Sequence, residues 1–194
     1  MNNTFYNKLQ GLLEIENPAF DELYSLLKFK EVKKNDFVLR ENDTCKFIGL
    51  LEEGSMRTFY VNEKGEDVSF LFHFNHLIED IVFTDYESFL LGTKSKLNIQ
   101  ALENSKVCFI DIDDWVNLCN KNSFWQYFSK KMTEKVYLSA KKRIENLLYY
   151  SPKNRYLKLL KENPLTFQKI PQKYIASYLG ITPQSLSRIR NRIN

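Results

Sequence analysis

The residues best suited to chemistry lie at the C-terminus, where small polar side chains and arginines share one predicted helix. Glutamine pairs naturally with adenine and arginine with guanine, whereas serine and threonine can bond either a base or a phosphate. The last two arginines, one turn further along, suit backbone phosphates better than base edges. We therefore predict a DNA-binding surface that includes Thr182, Gln184, Ser185, Ser187, Arg188, Arg190 and Arg192.

Two short helices joined by a tight turn must position that surface. Gly180 separates two apolar stripes and tolerates the positive φ that a chain reversal requires. Thr182 is the expected N-cap of the second helix and Pro183 its first residue, where a missing N–H costs nothing. A plain helical hairpin with a solvated basic face is the simpler alternative, but caps, turn and charge together predict a helix-turn-helix. The apolar stripes are Ile175, Ala176 and Leu179, then Ile181, Leu186, Ile189 and Ile193.

The distribution of charge supports DNA binding. Residues 130–194 hold 15 Lys and Arg against 3 Asp and Glu, whereas residues 1–129 hold 13 against 21. A basic C-terminal third would attract the phosphate backbone, and the acidic remainder would stay away from it. The net charge of +4 conceals this asymmetry.

Composition excludes several classes of protein. A hydrophobic fraction of 43% with 14% aromatic residues indicates a globular chain. The sequence has no apolar run of about 18 residues and no secretory leader at its N-terminus, so we expect no membrane association. Three scattered cysteines argue against a disulfide framework and indicate a reducing, cytoplasmic location. These cysteines are Cys45, Cys108 and Cys119.

Hydrophobic periodicity divides the chain into three parts, which predict an α+β fold. N-terminal helices over residues 4–28, broken at Pro18, precede short segments rich in β-branched and aromatic residues, with Asn62 to Gly65 as a hairpin turn. Such strands predict an antiparallel β-roll of the jelly-roll kind. We expect a sensor domain over 1–112, a dimerisation helix over 113–150 and a DNA-binding domain over 151–194. The predicted strands are 29–33, 37–40, 47–51, 56–61, 68–74, 96–102 and 107–111.

The long helix carries an apolar stripe of more than five turns. This stripe could pack on its own β-roll or pair with the same helix of a second subunit. A helix-turn-helix normally reads two half-sites as a dimer, which favours pairing. Ser151 and Pro152 then predict the start of a further helix that Pro164 ends. The stripe consists of Phe128, Met132, Val136, Ala140, Ile144 and Leu147.

This layout resembles the CRP/FNR family of bacterial transcription regulators. The most specific stretches are YIASYLGITPQSLSRIRNRI, from Tyr174 to Ile193, and EEGSMRTFYVNEKGEDVSFLF, from Glu52 to Phe72. The resemblance implies a palindromic double-stranded DNA operator, a homodimer and base contacts through Pro183, Gln184 and Arg188, with RNA polymerase as a candidate partner. Family members often carry Arg and Glu where this chain has Pro183 and Gln184, so a different operator is expected. We expect no clear β-wing after the second helix.

The family's cyclic-nucleotide cassette is not recognisable here. The resemblance implies a Gly-Glu pair followed, about ten residues later, by an arginine that neutralises the cyclic phosphate. The corresponding stretch, Asp80 to Leu102, offers Asp85 near the glutamate position and Ser95-Lys96 near the arginine position. Lysine supplies charge but no bidentate fork. The sensor is thus expected to be degenerate, with an unknown small-molecule effector or none, and its candidate pocket residues are Asp85, Tyr86, Ser88 and Lys96.

A metal-dependent enzyme of the cupin type is the alternative. His73 and His76, with Glu79 and Asp80 close behind, could present two imidazoles and a carboxylate to iron or manganese. A continuous strand would place the two histidines on opposite faces, however, and the chain contains no third histidine. We therefore predict a regulator that is not an enzyme and that needs no metal or cofactor.

Overall fold

The computed structural model describes residues 3–193, apart from the side chains of Asn3 and Glu79. Two N-terminal helices, α1 (Asn3–Leu13) and α2 (Ala19–Ser25), flank the predicted break at Pro18. The helical segment ends earlier than residue 28, because Lys28 already begins the first strand. Both helices bury leucine and aromatic side chains against the β-roll.

Two four-stranded antiparallel sheets form the predicted roll within the described chain. One sheet has the order β1-β8-β3-β6 and the other β2-β7-β4-β5. All seven predicted strands are present, and the turn from Asn62 to Gly65 joins β4 to β5, with Gly65 at φ 77°. The strands are β1 (Lys28–Val32), β2 (Phe37–Leu39), β3 (Phe47–Glu53), β4 (Met56–Val61), β5 (Asp67–His73), β6 (Val82–Phe83), β7 (Leu97–Ala101) and β8 (Ser105–Asp111).

Three short elements between β5 and β7 were not predicted. They are α3 (Ile78–Ile81), strand β6 and α4 (Tyr86–Leu91). None is long enough to display a hydrophobic period, and β6 exists because Val82 and Phe83 pair with Leu50 and Gly49 of β3. Asp85 caps α4 by accepting a hydrogen bond from the backbone N–H of Ser88, and Gly92 ends it in the left-handed conformation.

The predicted long helix is two helices. Helix α5 (Ile112–Lys121) ends at Asn122, whose side chain accepts a hydrogen bond from the backbone N–H of Trp125 and so caps α6 (Ser123–Tyr149). Helix α7 (Pro152–Glu162) begins at Pro152 with Ser151 as its cap, as predicted. Helices α8 (Leu165–Lys169), α9 (Gln172–Tyr178) and α10 (Pro183–Asn191) complete the described chain, and α9 and α10 form the predicted helix-turn-helix.

Gly49 provides a test of packing inside the roll. A Cβ at this position would lie 2.1–2.7 Å from three ring atoms of Phe83, which is fully buried against Phe47 and Phe109. We expect Gly49→Ala to lower the free energy of unfolding by about 1–3 kcal/mol, measured by urea denaturation. Gly11→Ala is the control, because nothing lies within 4 Å of its Cβ position in α1. Equal stability of both variants would show that Phe83 can move freely.

Candidate functional site

Helix α10 begins as the sequence predicts. Gly180 has a φ of 66°, and Thr182 Oγ1 accepts a hydrogen bond from the backbone N–H of Ser185 at 3.2 Å. The Thr182 hydroxyl also donates to Ser185 Oγ at 3.0 Å, so these two side chains serve the cap. Pro183 occupies the first helical position. The start of α10 is therefore held by bonds within the turn itself.

The two faces of α10 differ sharply in exposure. Leu186 is fully buried, whereas Gln184, Ser187 and Arg188 are exposed on the other side. Of the last two arginines, Arg190 is half-buried and Arg192 exposed. Sequence reasoning missed Asn191, which is exposed three residues after Arg188 and seven after Gln184. The helical spacing would have found it, because residues three, four and seven apart share one face.

The helix-turn-helix packs directly on strand β5 of the roll. Ile175, Ala176 and Leu179 are buried in one cluster with Phe72 of β5 and with Phe74, which directly follows that strand. Ser177 Oγ of α9 joins the two backbones, because it accepts from the N–H of Ser69 and donates to the carbonyl of Asp67, both at 2.9 Å. The roll and the helix-turn-helix thus share a core as well as polar contacts.

Arg143 of α6 lies at this junction and was not identified from the sequence. Its side chain is buried, and its guanidinium donates to the carbonyl of Phe70 in β5 at 3.3 Å and to the carbonyl of Tyr178 at the end of α9. The same group stacks on the Tyr178 ring at 3.8 Å. Its described partners are carbonyl oxygens and a ring rather than carboxylates, and burial lowers its pKa. Arg143 therefore connects three elements through one cation.

Two further cations lie near that junction. The Arg57 guanidinium is buried, stacks on Tyr174 of α9 at 3.7 Å and pairs with Asp67 at 2.7 Å. Lys169 forms an ion pair with Glu103 at 3.0 Å, with both side chains well exposed. Exposed pairs of this kind add little stability. The buried cluster, Arg143 and Arg57 are therefore the main attachments of the C-terminal helices.

A cavity of about 330 Å³ lies between the roll and α6. Its walls come from the N-terminal helices, both sheets, α5 and one face of α6, and they are mostly aliphatic and aromatic. The polar residues of its lining include His73, Tyr60 and Thr133. Its aromatic lining is Tyr60, Phe70, Phe83, Tyr86, Trp115 and Phe128.

Two of the four predicted effector residues line this cavity, and the other two do not. Asp85 and Tyr86 line it. Ser88 is buried within α4, where its hydroxyl donates to the carbonyl of Thr93 at 2.6 Å. The Lys96 side chain is 77% exposed and lies 3.7 Å from a carboxylate oxygen of Glu87, and it is not among the lining residues. The carboxylate of Asp85 accepts hydrogen bonds from the N–H of Ser88 and from the hydroxyl of Ser95.

The two histidines occupy different environments. His73 ends β5, is fully buried, and its Nε2 lies 2.8 Å from Thr58 Oγ1. Burial lowers the pKa of His73 to about 4, so its imidazole is neutral at physiological pH. His76 lies in the loop after β5, and its Nε2 is 3.6 Å from a carboxylate oxygen of Asp80 in α3. The side chain of Glu79 is outside the described residues. Within the described part of the chain, no three His, Cys, Asp or Glu residues gather as a metal site.

The stripe on α6 is shared between two environments. Phe128 is buried in the core of the roll and Met132 packs against that core. This end of the helix therefore packs on its own β-roll, the first of the two predicted alternatives. Further along, Val136 is 49% and Ile144 55% exposed, and Leu147 is also exposed. An apolar strip therefore remains uncovered on the second half of α6 in the isolated chain. Among the described helices, none combines the length and apolarity needed to cross a membrane.

Comparison with known proteins agrees with this geometry. Residues 29–122 match the cyclic nucleotide-binding domain family. No curated protein sequence matches the chain. Among solved structures, FixK2 from Bradyrhizobium japonicum superposes with a TM-score of 0.72 at 16% identity, over 86% of this chain and 84% of FixK2.

Two further structures give similar values. A protein from Eubacterium rectale, described as a CRP/FNR-family transcriptional regulator, has a TM-score of 0.69 at 15% identity, over 94% of this chain and 85% of its own. The c-di-GMP-responsive regulator CLP of Xanthomonas campestris has a TM-score of 0.69 at 11% identity, over 92% and 91%. At these identities the likeness establishes the fold.

The fold and the matched domain define a protein that joins a cyclic nucleotide-binding β-roll to a C-terminal helix-turn-helix. The same overall fold occurs in the Eubacterium rectale protein described as a CRP/FNR-family regulator, in line with the sequence resemblance.

The lining of the cavity does not fit the ligand after which the domain family is named. A cyclic phosphate carries a negative charge and needs a fixed cation and backbone donors around it. Asp85 and Glu87 line the cavity instead, and Lys135, the cation among the described lining residues, is exposed on α6.

We therefore predict that cyclic AMP and cyclic GMP bind no more tightly than about 100 μM, roughly −5.5 kcal/mol. Isothermal calorimetry with each nucleotide measures this directly. A saturable micromolar isotherm, abolished by Lys96→Ala but retained in the exposed neighbour variant Lys94→Ala, would contradict the prediction.

Proposed function

We propose that this protein is a transcription regulator that binds double-stranded DNA through α10. The observation that carries the proposal is the division of α10 into a buried face at Leu186 and an exposed polar face with Gln184, Ser187 and Arg188. Side chains of these types match the hydrogen-bonding pattern of the major groove. The cap at Thr182 holds the N-terminal end of the helix, the end that usually contacts base edges.

The charge of the C-terminal third supports the same assignment. The excess of Lys and Arg after residue 130 provides contacts to phosphate, which supply most non-specific affinity for DNA. Arg192 lies at the end of α10 and is exposed, where it suits a phosphate better than a base. We assign the finer roles of Thr182, Pro183, Ser185 and Arg190 to the same surface, with the cap residues acting mainly through the backbone they hold.

We further propose that the regulator is a homodimer on a palindromic operator. In the second half of α6, Ala140, Ile144 and Leu147 follow one another at spacings of four and three residues, which is the repeat of a two-helix seam. Tyr137 extends this strip toward the roll and is exposed. Pairing of the two α6 helices would cover apolar surface that one chain leaves in water.

The proposed organisation has three parts with different tasks. Residues 1–112 would form the sensor, 113–150 the dimerisation segment and 151–194 the DNA-binding domain. Because α9 packs on β5 and Arg143 touches both, the three parts are in direct contact. We place the protein in the cytoplasm, with RNA polymerase as its candidate partner and no enzymatic activity of its own.

The first test concerns base recognition. The operator is first recovered by selection from a random duplex library, and binding is then measured by fluorescence anisotropy. We expect Arg188→Ala to weaken binding to the selected site by about 1–3 kcal/mol and to relax its sequence preference. Arg192→Ala, the matched control, should weaken selected and random duplexes alike and reduce the salt dependence. Equal losses on both duplexes for Arg188→Ala would remove its base-reading role.

The second test concerns dimerisation. Ile144 is exposed in one chain and does not line the cavity, so Ile144→Glu would place a charge in the proposed seam alone. We expect this variant to be monomeric in light scattering at micromolar concentration and to lose most of its affinity for the operator. Leu138→Glu is the control, because Leu138 is also exposed but lies away from that strip. A wild-type chain that is already monomeric would disprove the seam.

A further inference from the structure

The cavity between the roll and α6 is too large to be a packing defect. Protein interiors are close-packed, and empty apolar space lowers stability. A volume of about 330 Å³ lies at the lower end of the range of small-molecule sites, about 300–1,000 Å³. Ring contacts hold side chains around it: Phe83 packs on Phe109, which is not a lining residue, and Trp115 packs on Phe128 within the lining. The space is therefore built into the fold.

The chemistry of the walls defines what can enter. Aliphatic and aromatic side chains make up most of the surface. Asp85 accepts hydrogen bonds from Ser88 and Ser95, and the side chains of Glu87 and Lys135 are exposed, so the described lining holds no buried cation that would neutralise an anion. A small number of polar groups in an apolar pocket fixes the orientation of a neutral ligand.

We propose that this cavity binds an uncharged, largely apolar small molecule that makes one or two hydrogen bonds, with His73 and Thr133 as the polar contacts. His73 is positioned for this role by its bond to Thr58, and burial keeps its imidazole neutral, since the pKa is lowered to about 4. Thr133 Oγ1 lies 3.3 Å from the hydroxyl of Tyr86 at the α6 wall and donates to the carbonyl of Ser129 at 3.0 Å, so it would serve a ligand as an acceptor.

A ligand bound in this cavity would affect the junction between the roll and the helix-turn-helix. Ser139 and Ala140 line the cavity, and Arg143 follows within one turn of α6. Phe70 also lines the cavity, and its carbonyl accepts the hydrogen bond from Arg143. The ligand would therefore touch two neighbours of the residue that holds α9. The description of this molecule as an effector rests on the proposed function, whereas its binding does not.

Two dyes that share one ring system test the proposal on the full chain. N-phenyl-1-naphthylamine is neutral, and 8-anilinonaphthalene-1-sulfonate adds one negative charge to the same skeleton. In fluorescence titrations we expect the neutral dye to bind saturably at one site per chain, at least about tenfold more tightly than the sulfonate, a difference of about 1.4 kcal/mol. Sulfonate binding that is equal or tighter would overturn the proposal, as would displacement of the dye by cyclic AMP.

Filling the cavity provides the second arm. Ser139→Phe places a ring where Ser139 lines the cavity, and Ser123→Phe makes the same change at the exposed first residue of α6. We expect at least a tenfold loss of neutral-dye affinity in the first variant and none in the second. Unchanged binding in Ser139→Phe, or equal losses in both, would place the dye elsewhere and overturn the assignment.

Two controls keep the outcomes separate. If circular dichroism shows that Ser139→Phe is unfolded, the smaller Ser139→Leu takes its place with the same criterion. Binding of wild-type protein to duplex DNA is measured in parallel. DNA binding without dye binding would contradict the proposed ligand site alone. Dye binding without DNA binding would contradict the proposed function alone.

Discussion

The architecture depends on strand β5 being covered on both of its faces. Phe72 enters the cluster of the helix-turn-helix together with Phe74, which directly follows the strand, whereas Phe70, Leu71 and His73 line the cavity beside α6. Side chains alternate between the two faces from Leu71 to His73, and the irregular pairing with β4 at Phe70 lets Phe70 and Leu71 both line the cavity. One seven-residue strand thus supplies a wall of the candidate ligand site and the surface on which the helix-turn-helix packs.

Arg143 makes that shared strand part of a three-way junction. Burying a guanidinium is costly unless its donors are satisfied, and here the carbonyls of Phe70 and Tyr178 accept them. Tyr178 closes α9, so its carbonyl lies at the partially negative end of a helix. The cation is therefore stabilised only while the roll, α6 and α9 keep this arrangement. Truncation of Arg143 would leave the carbonyls of Phe70 and Tyr178 without that donor.

The roll keeps the fold of a cyclic nucleotide-binding domain with a different chemistry inside. Backbone pairing of the two sheets determines the shape of the roll, whereas single side chains decide which charge its cavity tolerates. Lys96 points to solvent beside Glu87 and does not reach the space that α6 covers. The same architecture can therefore hold an anion in one protein and a neutral molecule in another.

The sequence by itself determined the features whose causes are local. The cap at Thr182, the turn at Gly180, the start of α7 at Pro152 and seven strands follow from propensities and short-range periodicity, and all are present. Only tertiary structure decided the pairing of Val82 and Phe83 as β6, the burial of Arg143 and the division of the α6 stripe into a covered and an uncovered half. The physical reason is distance along the chain: Arg143 meets partners 73 and 35 residues away, and no local pattern specifies such contacts.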